Sequence, residues 1–198
     1  ARASEANLGW RDDERWLLRI PVAHIGGLST VTRCLLARRC LVLADDRLPL
    51  PDQLERDRVT LVSLVPTLLR RLLDDAPGRR PPPHLRAVLL GGAAAPADLL
   101  ADAADAGWPV LTTYGLTEAC SQVATQPAGT INRGELGSGP PLPGVELRIV
   151  DDEIQVRGRM LFSGYFPPTD GSPLLADGFF PTGDRGRLDD AGNLHVLG

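Results

Sequence analysis

The sequence predicts an α/β fold, with a mostly parallel sheet flanked by helices and then a smaller antiparallel β subdomain. Two apolar, β-branched runs, VTLVSLV (59–65) and LRAVLL (85–90), read as buried strands and alternate with helical segments. This alternation is typical of a parallel sheet covered by helices. From Gly144 onward, short segments of alternating polarity separated by turn residues indicate antiparallel strands. We therefore predict two parts, residues 1–127 and 128–198, divided within a Gly/Pro-rich stretch.

Local sequence patterns predict each strand and helix of the first part. The pattern predicts strands over 16–20, 40–43, 59–65, 85–90 and 109–113, and helices over 28–37, 54–57, 66–75 and 96–107. Pro66 and Pro96 each open a helix because the fixed φ of proline suits the first helical position, and Gly107 ends the second helix. Ligands of such sheets bind at the carboxyl ends of strands, so we expect the chemistry in the loops after Leu90 and Thr113.

The antiparallel part is predicted from three segments that follow one another closely. GVELRIV (144–150), EIQVRG (153–158) and RMLFSGYF (159–166) are short and are separated by turn residues. We predict that these three segments are its strands.

Composition narrows the classes of function. The 198 residues carry a net charge of −4 with no basic tract, so we expect no nucleic-acid partner. All 21 basic residues are arginine, so no lysine chemistry can come from this polypeptide. The three cysteines lack the spacing of a zinc site, which predicts free thiols in a reducing compartment. We find no leader and no membrane span in the pattern and expect a cytoplasmic location.

The first candidate loop is Gly91-Gly92-Ala93, directly after a predicted buried strand. Glycines let the backbone lie flat against a ligand and adopt positive φ, so these residues are candidates for cofactor binding. The alternative is a tight turn between a strand and a helix.

The second candidate loop, TTYGLTE (112–118), places an aromatic, a glycine, a hydroxyl and a carboxylate in a row. Thr113, Tyr114 and Gly115 are candidates for cofactor binding, since the ring can stack on a purine. Thr117 and Glu118 are candidate catalytic residues. The threonine can donate to a phosphate oxygen, and the carboxylate can hold Mg²⁺ together with substrate phosphates. The alternative is a helix start of the Thr-x-Glu type.

The third candidate is Asp184, in the segment Thr182-Gly183-Asp184. An aspartate in a glycine turn can accept hydrogen bonds from both hydroxyls of a ribose. Aspartate is common in turns, so an ordinary turn is the alternative.

Together these loops resemble a known superfamily. The order GGAAAP (91–96), TTYGLTEACSQ (112–122) and DGFFPTGDRGRLDDAGNLHVLG (177–198) is similar to that of the adenylate-forming enzymes. These include acyl-CoA synthetases, peptide-synthetase adenylation domains and luciferases. The resemblance spans essentially the whole chain. It implies ATP and AMP, Mg²⁺, and CoA as a co-substrate.

The resemblance also implies a role for each candidate residue. Gly91, Gly92 and Ala93 would line one face of the adenine and Tyr114 the other. Thr117 would touch the phosphates, Glu118 would position Mg²⁺ and Asp184 would bind the ribose.

Within the superfamily, three segments are most similar to the o-succinylbenzoate–CoA ligases of menaquinone biosynthesis. They are LLRIPVAHIGGLSTVTR (17–33), VTLVSLVPTLLRRLLD (59–74) and TTYGLTEACSQVAT (112–125). This resemblance implies an acyl pocket formed by His24, Gly26, Gly27, Arg33 and Ser121, with Ser121 one helical turn beyond Glu118.

Arg33 stands out because it interrupts an apolar or hydroxylic helical run. A buried guanidinium is costly unless it is paired, and the second carboxylate of o-succinylbenzoate would suit it. The alternatives are an arginine that reaches out from a helix flank and, for His24, a hydrogen-bonded loop histidine.

Other functions stay open from the sequence. The chain could belong to a ligase for another aryl or fatty acid, or be a non-catalytic domain that binds a nucleotide or a partner protein. The resemblance implies a lysine-containing phosphate loop before residue 1 and a small lysine-bearing domain after residue 198. We therefore expect the chain alone to bind ATP weakly and to adenylate poorly. The oligomeric state is open, with a homodimer as one alternative.

Overall fold

The computed structural model describes residues 2–168 and 171–198 and contains two sheets. The elements are α1 (Arg2–Leu8), β1 (Arg15–Leu18), α2 (Ile25–Ala37), β2 (Cys40–Leu43), α3 (Leu50–Arg56), β3 (Leu61–Leu64), α4 (Pro66–Asp75), β4 (Ala87–Leu90), α5 (Ala97–Asp105), β5 (Val110–Leu116), a 3-10 turn (Thr117–Ala119), β6 (Ser121–Thr125), β7 (Val145–Val150), β8 (Glu153–Gly158), β9 (Phe180–Leu188) and β10 (Leu194–Val196). The predicted fold class is confirmed.

The first sheet has six strands in the order β2-β1-β3-β4-β5-β6. Its first five strands are parallel, and β6 is antiparallel to β5. The chain leaves β1 through α2 to reach β2, then passes back beyond β1 through α3 to reach β3. Right-handed crossovers in opposite directions place their helices on opposite faces of a sheet. The connections run in opposite directions on the two sides of β1, and ligands of open α/β sheets commonly bind at such a point.

Alternate residues of each strand enter two separate cores. Trp16 packs on the face covered by α1 and α2, whereas the next residue, Leu17, packs on the face covered by α3, α4 and α5. Val88 and Leu89 divide between the two faces in the same way. The continuous apolar runs of the sequence are thus explained by burial on both sides.

The second sheet is antiparallel, in the order β10-β9-β8-β7, and packs against the far end of the first. Ile154, Phe180 and Leu194 of this sheet form one core with Tyr114 and Val123 of β5 and β6. The two sheets therefore share apolar packing beside the residues of interest. The division at residues 127 and 128 stays a prediction.

One strand prediction is wrong. Residues 159–166 form turns and irregular structure, and the strand that follows β8 in the sheet is β9. The reason is tertiary, because the Phe162 N–H donates to the Glu118 carbonyl at 2.7 Å rather than to a neighbouring strand.

Other local predictions agree with the structure. The helix over 66–75 and the strand over 40–43 have the predicted bounds. The three cysteines are free thiols. Within residues 2–168 and 171–198, we find no helix with the length and apolar character needed to cross a membrane.

Candidate active site

Tyr114 and Asp184 meet where the two sheets join. In the parallel part of the sheet, β5 pairs with β4 only as far as Thr112, and residues 113–116 continue beside β6. Tyr114 and Gly115 therefore lie within a strand, and the prediction of a loop after Thr113 is wrong. From this extension the Tyr114 hydroxyl donates to Asp184 Oδ2 at 2.6 Å.

Burial keeps the Tyr114 hydroxyl protonated as a donor. Loss of solvation, followed by the hydrogen bond to Asp184, raises the pKa of Tyr114 far above its ordinary value. Only 8% of the residue is exposed, because its ring packs in the core shared by the two sheets. Stacking of this ring on a purine stays a prediction.

Asp184 lies within β9, not in a simple turn as predicted. The register of β8 against β9 shifts beside it, and Gly183 has φ of +77°, which favours glycine. The Gly183 N–H donates to Glu153 Oε1 at 3.0 Å, and the Asp184 N–H donates to Thr182 Oγ1 at 3.1 Å. This bulge fixes the backbone of Asp184. Among the residues that the structure describes, the second carboxylate oxygen of Asp184 has no hydrogen-bond partner.

Glu118 lies in the 3-10 turn that follows β5, with Thr117 exposed beside it. The predicted helical turn from Glu118 to Ser121 is wrong, because Ser121 begins β6 and pairs with Leu116. Cys120 and Ser121 have φ of +53° and +100°, and these values reverse the chain into an antiparallel strand. A helix start was therefore the wrong alternative for this segment as well.

The glycine loop lies directly against β5. A Cβ at Gly91 would stand 2.8 Å from Thr113 Cγ2 and 3.0 Å from the Thr113 carbonyl oxygen. Gly92 has φ of +81°, and both Gly92 and Ala93 are exposed. This exposed backbone could accept a flat ligand beside Thr113.

A second close approach joins β5 to β6, and β6 in turn contacts the start of α2. A Cβ at Gly115 would stand 1.9 Å from the Ser121 carbonyl oxygen, so only glycine fits there. The Ser29 hydroxyl lies 3.3 Å from Ser121 Oγ and donates to the Gly26 carbonyl at 2.9 Å. Gly27 is equally restricted, because its Cβ would stand 2.3 Å from the Pro21 carbonyl oxygen. The start of α2 thus contacts the strand that carries Ser121.

His24 and Arg33 are less directly connected to this cluster. His24 is exposed at the N-cap of α2, and its side chain makes no capping hydrogen bond. Arg33 is buried on α2 with its guanidinium carbon 5.5 Å from the centroid of the Trp16 ring. Neither side chain has a hydrogen bond to the other predicted residues within the part of the chain that the structure describes.

The sequence interpretation missed two residues that touch the predicted site. Tyr165 donates to Glu118 Oε1 at 3.0 Å, and Gln122 donates to Thr113 Oγ1 at 3.1 Å. Tyr165 was hidden in the segment interpreted as a strand. Gln122 follows the YGLTE motif by four residues, and this nearness to the motif was the usable signal.

The acidic residues suit a cation that is held mainly by the phosphates of a bound nucleotide. The described residues contain no group of three or more histidine, cysteine, aspartate or glutamate side chains arranged to hold a metal. Mg²⁺ commonly takes only one or two carboxylates and shares substrate phosphates. Glu118, with Oε1 bound by a hydroxyl and Oε2 unpartnered in the described chain, suits that role.

A cavity of about 450 Å³ lies at the opposite, amino-terminal edge of the first sheet. Part of its charged lining is paired, for example Arg39 with Asp12 and Arg56 with Asp57. None of the residues predicted to bind a ligand lines this cavity, so we place the candidate site at the carboxyl edge.

Comparison with known proteins identifies the family of the chain. Residues 1–166 match the family model described as AMP-binding enzyme. The 2-succinylbenzoate–CoA ligase of Bacillus pumilus is 37% identical over 211 residues, covering 100% of this chain and 43% of that protein. The structure of Bacillus subtilis o-succinylbenzoate CoA synthetase with the acyl-adenylate intermediate OSB-AMP matches with a TM-score of 0.89 and 34% identity, over 99% of this chain and 43% of that chain.

The same Bacillus subtilis enzyme in complex with ATP and magnesium ion matches with a TM-score of 0.88 and 34% identity, over 99% of this chain and 44% of that chain. The chain thus spans less than half the length of these relatives. Since the family model matches well over half of its residues, the chain belongs to the family of AMP-binding enzymes.

Proposed function

We propose that this chain is the nucleotide- and acyl-binding part of an ATP-dependent acid–CoA ligase that forms an acyl-adenylate. One observation carries the proposal. The Tyr114 hydroxyl donates to Asp184 at 2.6 Å, and Tyr114 precedes Glu118 by four residues in the chain. This proximity supports the assignment of the base, sugar and metal contacts to one site. The relatives named as ligases, with OSB-AMP and with ATP and magnesium, support the same reaction.

The proposed reaction has two steps. A carboxylate oxygen of the acid attacks the α-phosphorus of ATP, and the bond to the bridging oxygen breaks so that pyrophosphate leaves with the electron pair. The sulfur of CoA then attacks the acyl carbonyl carbon, AMP leaves with its oxygen, and the thiol proton passes to solvent. These steps need mainly alignment of two anions and stabilisation of charge at phosphorus.

The residues of this chain would supply that alignment. Asp184 would accept hydrogen bonds from the ribose through its unpartnered oxygen, while Tyr114 holds the other. The exposed backbone of Gly92 and Ala93 would lie against the base, and Thr117 would donate to a phosphate oxygen. Glu118 would hold Mg²⁺, which when bound offsets the negative charge of the phosphates.

We extend the proposal to the acid, o-succinylbenzoate. Arg33 is 5% exposed and has no ion-pair or hydrogen-bond partner among the described residues, and its Nε is buried without a partner. Burial lowers the pKa of Arg33 to about 10, so it remains charged at neutral pH. A buried, unpaired guanidinium is costly, and the second carboxylate of this acid would supply the missing partner.

The test uses two substitutions of the same chemistry in the complete protein that carries this chain. Asp184→Asn removes the charge proposed to bind ribose, whereas Asp151→Asn makes the same change in the exposed β7–β8 turn. We expect Asp184→Asn to weaken AMP binding and o-succinylbenzoate-dependent ATP–pyrophosphate exchange about 10-fold or more, and Asp151→Asn to change neither.

Three outcomes contradict the proposal. If the unmodified protein shows no exchange with any carboxylic acid, the ligase function is wrong. If another aryl acid or a fatty acid supports faster exchange than o-succinylbenzoate, only the assigned acid is wrong. If Asp184→Asn binds AMP like the unmodified protein, the assigned ribose contact is wrong.

A further inference from the structure

Tyr165 makes a direct contact with the carboxylate that we assign to the metal. It lies in the irregular segment between β8 and β9, and its hydroxyl donates to Glu118 Oε1 at 3.0 Å. A phenol donates to a carboxylate, so the Tyr165 hydroxyl is the donor and Glu118 the acceptor.

The same short segment also holds the backbone of Glu118. The Phe162 N–H donates to the Glu118 carbonyl at 2.7 Å. Tyr165 packs edge-on against Phe162, with ring centroids 4.8 Å apart and planes at 69°. This segment thus contacts both the backbone carbonyl and the carboxylate of Glu118. Edge-to-face packing fixes the tyrosine ring relative to the segment.

The aromatic contacts continue to the strand that carries Asp184. Phe162 packs edge-on against Phe180, with centroids 5.4 Å apart and planes at 81°. Phe180 is the first residue of β9, and Asp184 lies four residues further along the same strand. We call Tyr165, Phe162 and Phe180 the aromatic ladder. It connects Glu118, in the turn after β5, to the strand that carries Asp184.

Glu118 needs such support more than a residue in a metal cluster would. It belongs to no group of three or more possible metal ligands in the described chain, and a glutamate side chain has several rotatable bonds. A single flexible ligand binds a cation well only when other groups hold its orientation. Tyr165 leaves Glu118 Oε2 free while it holds Oε1.

We propose that Tyr165 is a positioning residue, which orients Glu118 toward a divalent cation carried by the bound nucleotide. Packing within the aromatic ladder fixes the ring of Tyr165 and therefore the position of its hydroxyl. The hydroxyl in turn orients the Glu118 carboxylate. This inference rests on the proposed function, since it needs a nucleotide and its cation at this edge of the sheet.

The test removes the hydroxyl oxygen of Tyr165 in the complete protein that carries this chain. Tyr165→Phe keeps the ring on Phe162 and loses only the hydrogen bond to Glu118. We expect the Mg²⁺ affinity, measured by titration calorimetry with a saturating non-hydrolysable ATP analogue, to fall about 10-fold, as is usual when a group behind a metal ligand is removed. AMP affinity without metal should stay unchanged.

Tyr114→Phe is the matched control, because it is the same substitution at the chain's other tyrosine. It removes the hydrogen bond to Asp184 and should weaken AMP binding without metal while leaving the Mg²⁺ titration as it was. A Glu118→Gln background provides the second control. There, Tyr165→Phe should cause no additional loss of Mg²⁺ affinity, since its effect acts through the carboxylate.

The outcomes separate this inference from the function beneath it. If the unmodified protein binds no ATP analogue, the proposed function fails. If it binds the analogue and Mg²⁺ in a Glu118-dependent way, and Tyr165→Phe titrates like the unmodified protein, only the role of Tyr165 is wrong. A loss of AMP affinity without metal, or a loss that persists in Glu118→Gln, would show a merely structural role and also overturn it.

Discussion

In two regions beside the first sheet an arginine side chain is mostly shielded from solvent, and its charge is balanced in one region but not in the other. Where the segment after α1 meets the start of β4, Arg86 forms an ion pair with the fully buried Glu14 and donates to the carbonyls of Leu8 and Gly9. In the middle of α2, Arg33 is 5% exposed and has no such partner in the described chain. It has only the face of Trp16, 5.5 Å away.

The difference separates a structural charge from one available for binding. Arg86 closes a polar network with Glu14 and Thr60, which fastens the start of the chain to the sheet. An aromatic face attracts a guanidinium without neutralising it. Arg33 therefore keeps a free positive charge, whose cost a carboxylate ligand could offset.

The largest expected effect comes from breaking the paired arginine. Glu14→Gln leaves the shape of the side chain but removes its charge, so the Arg86 guanidinium, whose side chain is only 13% exposed, loses its counter-ion. We expect the free energy of unfolding to fall by about 3 kcal/mol, measured by urea denaturation of this chain.

Asp46→Asn is the control for that change, because it breaks an ion pair with Arg19 in which the aspartate side chain is 86% exposed. Such surface pairs contribute about 0–1 kcal/mol. If Glu14→Gln lowers stability no more than Asp46→Asn does, the contrast between Arg86 and Arg33 is wrong.

The second prediction concerns the unpaired arginine. Arg33→Met keeps much of the length of the side chain and removes a charge without a partner, so the free energy of unfolding should rise or stay within about 1 kcal/mol. In the same variant, affinity for o-succinylbenzoate should fall about 10- to 100-fold, because a charge-assisted contact is lost.

Benzoate distinguishes this loss from general damage to the pocket, since it lacks the second carboxylate. Its affinity, from competitive calorimetry in the complete protein, should be the same before and after Arg33→Met. An equal loss for both acids, or no loss for either, would contradict the assignment of Arg33 to the second carboxylate.

The smallest effect is expected at Cys34, which lies within reach of both regions. Burial raises the pKa of its thiol from 9.0 to about 11, while the charge of Arg33 lowers it and that of Glu14 raises it. The folded-state pKa lies above the unfolded value, so this contribution to stability is fully present below pH 9. It is lost as the pH rises from 9 to about 11.

We expect the unmodified chain to lose up to roughly 2 kcal/mol more stability over that pH range than Cys34→Ala does. Urea denaturation at several pH values measures both slopes, and comparing the two proteins cancels the titration of the tyrosines. Parallel slopes would mean that Cys34 is not buried as a neutral thiol.

Local sequence patterns were enough for most elements of the first sheet. The helix over 66–75 begins at a proline and repeats leucine at helical spacing, and neither signal depends on distant residues. The turn after Glu118 was different. Its Thr117-Glu118 start is compatible with a helix, but the backbone at Cys120 and Ser121 adopts positive φ and the chain returns as β6. Sheet pairing with Leu116 outweighed the local signal.

The sequence alone determined the fold class, the order of the motifs and the residue types of the candidate site. It did so because strand and helix patterns, and the chemistry of glycine, tyrosine and carboxylates, are readable over a few residues. Only the tertiary structure decided which side chains meet. Tyr114 and Asp184 are 70 residues apart, and Glu14 and Arg86 are 72 apart. Such contacts depend on strand order and on how the two sheets pack, and no local pattern encodes them.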